Sequence, residues 1–135
     1  MDFLVNIDVP ELDAGTRFYC AAFGLRVGRR FGPDAIELLG GPAPIYLLVK
    51  AEGSQASTAT AQRRSYERHW SPIHLDFVVD DIDAAVARAV AAGALLEQPV
   101  KTSRWGKLAL MADPFGNGLC LLQFLGRGYD EIAQA

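Results

Sequence analysis

The stretch in which Val5, Ile7 and Val9 alternate with Leu4, Asn6 and Asp8 returns in the second half of the chain. There Leu75, Phe77 and Val79 alternate with His74, Asp76 and Val78. The offset is 75 − 5 = 70, and it also carries Leu12 onto Ile82 and Asp13 onto Asp83. A repeat at a fixed offset means that one supersecondary unit is used twice. Alternation with a period of two makes the first element of each copy a strand with one apolar and one mixed face. Both halves must then fold alike, and few architectures meet that condition.

A helical stretch follows each of these strands. "ELDAGTRFYCAAFG" opens with acidic residues in its first turn, places Leu12, Thr16, Tyr19 and Cys20 on one flank with Phe18 near them, and ends at Gly24. "DDIDAAVARAVAAG" puts Ile82, Val86, Ala89, Val90 and Gly93 in the corresponding places. Acidic groups suit a helix N-terminus, and a glycine that adopts the left-handed conformation stops a helix at its other end. The two helices are expected to pack on the Val5/Ile7/Val9 and Leu75/Phe77/Val79 faces.

Three short strands follow each helix: "LRVGRRF", "AIELLG" and "PIYLLVK" in the first half, "ALLEQPV", "KLALMA" and "LCLLQF" in the second, separated by glycine- and proline-rich turns. Each half reads βαβββ, and the fold class is α+β. The expected organisation is one domain over 1–135, with a module at 1–50, a linker at 51–71 whose first part is mobile, a module at 72–125 and a tail at 126–135. The tail either docks through Tyr129 and Ile132 or frays. A sheet with one face under a helix must hide or use the other, and two such sheets can curl into a trough. The residues predicted to point inward are Leu4, Asn6, Asp8, His74, Asp76 and Val78, and their polar members favour a ligand cavity over a solid core.

Charge and length exclude several functions. The chain has 135 residues, half of them apolar, and a net charge of −3, which is enough for one core and not for two ordinary domains. Basic residues are dispersed, so neither nucleic acid nor an anionic membrane is expected as a partner. No leader-like or bilayer-length apolar run is present, and a soluble cytoplasmic protein is expected. Cys20 and Cys120 then read as two reduced thiols.

With "FLVNIDVPELDAGTRFYCAAFGLRVG", "IHLDFVVDDIDAAVARAVAAGA" and "RWGKLALMADPFGN" in view, the chain resembles the vicinal oxygen chelate superfamily, which includes glyoxalase I, extradiol dioxygenases, fosfomycin-resistance transferases and bleomycin-resistance proteins. The resemblance implies two βαβββ modules forming a curved mixed sheet around a cavity. It also implies homodimers and, in metal-using members, one ligand from the first and one from the last strand of each half. The four positions fall on Leu4, approximately Tyr46, His74 and Cys120. Imidazole and carboxylate suit Zn, Ni, Fe or Mn with positions left for substrate, but of these four only His74 is an ordinary ligand. Leu4 coordinates nothing, Tyr46 would have to ionise, and Cys120 suits only a soft metal.

Each candidate carries two readings. His74 is a metal ligand or general base, since imidazole titrates near neutrality, or a cavity-wall residue bonded to Asp76. Cys120 is a nucleophile, or a small buried hydrophobe between Leu119 and Leu121. Asp8 and Asp76 attract a cationic ligand, or pair with an arginine such as Arg104 or Arg26. Trp70, Tyr66, His69 and Trp105 form an aromatic cluster that stacks on a ligand, or make a dimer contact or a lid on the core. "DPFGN" is a structural turn in which Pro114 presets φ and Gly116 and Asn117 accept positive φ. Gly106, beside Trp105, permits close approach of a neighbouring strand.

The function expected from these residues is binding of a small organic molecule, drug-like or cationic, with no metal cofactor. Asn6, Asp8, Tyr46, His74, Asp76, Trp105 and Cys120 are expected to line the site. The alternative is a lyase, isomerase or dioxygenase in which His74 is catalytic, either as a base or as a ligand to a divalent metal (Zn, Ni, Mn or Fe) helped by Glu37 or Gln123. A third reading is a dimeric protein with a vestigial cavity.

Overall fold

The computed structural model describes residues 1–134, which divide into two compact units, the first Met1–Glu67 and the second beginning at Arg68. In the first unit β1 (Val5–Val9) leads to α1 (Leu12–Phe23), β2 (Arg26–Phe31), β3 (Ala35–Leu39) and β4 (Ile45–Val49). The sheet order is β1-β4-β3-β2, with β1 parallel to β4 and the other pairs antiparallel. Glu11 caps α1 by accepting hydrogen bonds from the N–H groups of Asp13 and Ala14. Gly24 ends the helix at φ 66°.

The buried face of α1 is Gly15, Phe18, Tyr19 and Ala22, one position off the flank expected from Leu12, Thr16 and Cys20. The reason is Gly15: a Cβ there would lie 3.0 Å from Val9 Cγ1 and 3.1 Å from Leu47 Cδ1. The helix therefore approaches the sheet closely along that line. Register places Val5 beside Ile45 and Leu38, and Ile7 beside Leu47 and Ile36, so the helix-side face is the expected apolar one.

In the second unit β5 (Leu75–Val78) leads to α2 (Ile82–Ala92), β6 (Leu95–Leu96), β7 (Lys101–Thr102), β8 (Gly106–Ala112) and β9 (Gly118–Phe124). The order is β5-β9-β8-β6, again with the first strand parallel to the last, and β7 also pairs with β8. Of the strand expected from "ALLEQPV" only β6 forms, and β7 pairs with β8 just beyond that stretch. Pro99 lies between them, where its missing N–H cannot serve a ladder. The buried residues of α2 are Ile82, Ala85 and Ala89. Val90, expected to be buried, is 47% exposed, because a helical face follows i, i+3 and i+7 from Ile82 and leaves position 90 to one side.

The helix caps obey the repeat as well as the strands do. Asp81, 70 residues after Glu11, caps α2 by accepting from the Ala84 N–H. Segment 51–67 carries its own hydrogen bonds: Gln55 bridges Arg63, and Arg64 reaches the carbonyls of Gln55 and Ala56 and the carboxylate of Asp8. In the tail a 3₁₀ turn at Gly128–Glu131 sets Tyr129 against Trp105 and Phe124, while Ile132 is 51% exposed.

In the turn between β8 and β9, Asp113 does the work expected of Asn117. Its carboxylate accepts from the N–H groups of Phe115 (2.8 Å) and Asn117 (2.9 Å) and from Asn117 Nδ2 (2.9 Å). Gly116 takes φ 88°, but Asn117 does not adopt positive φ. An aspartate that bonds the backbone two residues on imitates a turn by itself.

Candidate functional site

Both sheets have a second face, turned away from their helices, and cross-strand register shows what stands on it. In the first unit Asn6 pairs with Tyr46, and Tyr46 with Glu37. In the second, Asp76 pairs with Cys120, and Cys120 with Leu110. Tyr46 and Cys120 therefore hold equivalent places, each beside the second residue of its unit's first strand.

The first row is closed on itself. Glu37, only 5% exposed, accepts from Arg29 Nη2 at 2.6 Å, Arg29 Nε at 3.1 Å and the Tyr46 hydroxyl at 2.7 Å. Arg29 Nη2 also donates to the Tyr46 oxygen at 2.8 Å. The hydrogen bonds from Arg29 and Tyr46 hold the Glu37 carboxyl down at about 2. The bond to Glu37 pushes the Tyr46 phenol up, because its proton is already engaged. Gly28 makes room: a Cβ there would sit 2.6 Å from Glu37 Oε1, at a register shift between Val27 and Arg30. Arg29 and Gly28 were missed in the sequence, although a glycine inside a strand is the ordinary sign of a bulge. Glu37, expected as a metal helper, is committed to Arg29 and Tyr46 instead.

Asp8 is likewise engaged, with Arg64 Nε 2.7 Å from its carboxylate. Its arginine is neither Arg104 nor Arg26. Arg104 bonds the backbone carbonyl of Glu131. Leu4, just before β1, is half exposed and offers no donor atom.

The second row is different. His74 Nε2 stands 3.2 Å from Asp76 Oδ1, and one donor atom from each of His74, Asp76 and Cys120 lies within 4.8 Å of the others. Cys120 is 3% exposed. Burial first, then the nearby Asp76 charge and its hydrogen bond, push the thiol up to about 12. That thiol is protonated at neutral pH and is a poor nucleophile. Gln123, the other expected metal helper, is on the opposite face, where its side-chain oxygen accepts from the Ile82 N–H at the start of α2.

The aromatic residues do not form one cluster. Trp70 lies 5.4 Å from the His74 ring and under the Arg68 guanidinium, and it rests on Gly118, where a Cβ would come within 2.6 Å of the indole. The backbone of His69 bridges Asn117, and the Tyr66 hydroxyl donates to the Lys50 carbonyl. Trp105 packs on Tyr129 at 5.0 Å and Phe124 at 6.2 Å. It also lines a cavity of about 340 Å³ with Gln98, Pro99, Lys101, Ser103, Leu108 and Leu110. Leu110 is the cross-strand partner of Cys120, so this cavity adjoins the second row.

The four positions that the resemblance assigns to a metal do not fit one. Leu4 cannot bind, Tyr46 is tied to Glu37 and Arg29, and Cys120 offers a soft thiol where an oxygen donor is wanted, which leaves His74 with Asp76 beside it. A catalytic cation of the implied kind needs deprotonated N and O donors from both halves.

Residues 4–122 match the model of a family described as a glyoxalase-like domain. No curated protein matches the chain. Among solved structures, the chain is similar to a glyoxalase/bleomycin resistance protein/dioxygenase family enzyme from Burkholderia phytofirmans PsJN, at 23% identity over 90% of this chain and 97% of that one, with a TM-score of 0.70. It is similar to the fosfomycin resistance protein FosX of Mesorhizobium loti at 18% identity, over 97% and 96% of the two chains, with a TM-score of 0.69. A lactoylglutathione lyase from Agrobacterium tumefaciens aligns at 22% identity over 91% and 92%, with a TM-score of 0.62. These likenesses show a shared fold, in agreement with the expected α+β class.

Proposed function

Because this chain belongs to the glyoxalase-like domain family, yet lacks the donor atoms for a four-ligand cation, we propose that it binds a small, drug-like organic molecule without the usual metal quartet. The observation that carries this reading is the closed network of Arg29, Glu37 and Tyr46. It uses up the one acidic oxygen donor on the first unit's second face at the row where a ligand is wanted. The second unit supplies the binding surface: His74 and Asp76 for polar recognition, Trp105 for stacking, and the adjoining cavity for an apolar body. Asp8 contributes little to attracting a cation, since Arg64 already balances it.

A second reading, a His74-based or metal-dependent lyase, isomerase or dioxygenase, is favoured by the grouping of His74, Asp76 and Cys120. In that case His74 and Asp76 would hold the ion, which would polarise substrate oxygens. Metal analysis of protein purified without a histidine tag separates the two. Metal below about a tenth of an equivalent, together with ligand-induced changes in tryptophan fluorescence, supports the binder. Near-stoichiometric metal that disappears in His74→Ala supports the enzyme.

A further inference from the structure

The cavity beside Trp105 has a chemical polarity that the rest of the second unit does not share. Its apolar lining is Trp105, Leu108, Leu110 and Pro99, its uncharged polar groups come from Gln98 and Ser103, and its one charged residue is Lys101. Register explains the convergence. Lys101 is the cross-strand partner of Leu108, and the backbone hydrogen bonds between Ser103 and Gly106 close the turn that carries Trp105.

Glu97, next to Gln98, is held by Arg68 through two side-chain bonds that keep its carboxyl below the ordinary range. Glu131 faces Arg127 and Arg104. Across the β7-β8-β9-β5 ladder the position opposite Lys101 is Val78, and Asp76 lies two residues further along β5, so its backbone is more than about 14 Å away at roughly 4.8 Å per strand. That exceeds a Debye length of about 8–10 Å at physiological salt. Among the described residues Lys101 has no ion pair. A cationic guest stacked on Trp105 would meet a like charge, whereas an anionic one would meet its complement.

We infer that this cavity takes a planar aromatic carboxylate, its ring on Trp105 between Leu108 and Leu110 and its carboxylate toward Lys101. The inference rests on the binding function proposed above and names the ligand class for that surface. Trp105 is held by Phe124 and Tyr129, so little ordering is required when a ring arrives. A volume of about 340 Å³ is at the lower end for ligand sites, which run from about 300 to 1,000 Å³. One or two fused rings fit that size.

The test is calorimetric titration with three probes of one shape: 2-naphthoate, 2-naphthylmethanol and 2-naphthylmethylammonium. The carboxylate is expected to bind tightest. Lys101→Gln, an exposed change, should weaken the carboxylate about three- to fivefold and leave the alcohol unchanged, since exposed ion pairs are worth up to about 1 kcal/mol. Trp105→Leu should weaken all three. Binding that ignores charge, an ammonium that binds tightest, or a Lys101→Gln protein that binds 2-naphthoate as the wild type does would overturn the inference. If no naphthyl probe binds while other organic molecules stabilise the protein, the ligand class is wrong and the binding function stands. If nothing organic binds, both fail.

Discussion

Glu37 shows how one side chain decides between a metal site and a structural knot. Its carboxyl lies at about 2 in the folded protein against an ordinary 4.5, and a depressed carboxylate stabilises the fold above its unfolded value and loses that contribution as pH falls through the folded one. The melting temperature of Glu37→Gln should therefore lie below that of the wild type at pH 7, with the gap closing between pH 4.5 and about 2. A gap independent of pH would mean that the Arg29 pair does not set it. The thiols offer a second check. Cys120 is buried and Cys20 half-buried, and burial raises both, so iodoacetamide at pH 8 should label Cys20 first and Cys120 only on unfolding. Rapid labelling of Cys120 in native protein would contradict its burial. At this scale His74 beside Asp76 was readable from alternation alone. The partners of Asp8 and Glu37 were not, because Arg64 arrives from an irregular segment and Arg29 from a bulge, and neither has a period to read.

At the scale of elements, the first strands, the helix ends and the order βαβββ were legible because alternation, acidic first turns and terminal glycines are local signals. The helix faces were read in part: Tyr19, Ile82 and Ala89 are buried as expected, while Gly15, Ala22 and Ala85 were missed, since glycine and alanine leave a weak hydrophobic mark. The strand expected from "ALLEQPV" shortens to β6, and Pro99 lies between it and β7. Gly106 was read as a point of close approach, and a Cβ there would lie 2.4 Å from the Gln123 carbonyl oxygen on the paired strand. Gly106→Ala should cost about 1–3 kcal/mol, the usual range for overpacking, in urea unfolding followed by circular dichroism. Unchanged stability would show that β8 and β9 are not held so close.

At the scale of the whole molecule, two units repeat one topology, first strand parallel to last, and the same register point carries Tyr46 in one and Cys120 in the other. The βαβββ modules could be read from the repeat and the family from the stretches that resemble it, but the ligand could not, because the cavity residues Gln98, Lys101 and Ser103 come from a segment that carries neither signal. No helix among the described residues is long and apolar enough to cross a membrane. The central claim is that organic ligands are bound without a catalytic cation. The measurement that tests it most directly is a thermal-shift screen of small organic molecules against tag-free protein, run with EDTA and again with added Mn, Ni or Zn. Molecules that stabilise the protein should do so equally in EDTA. Stabilisation that appears only with added metal, and vanishes in His74→Ala, would contradict the account.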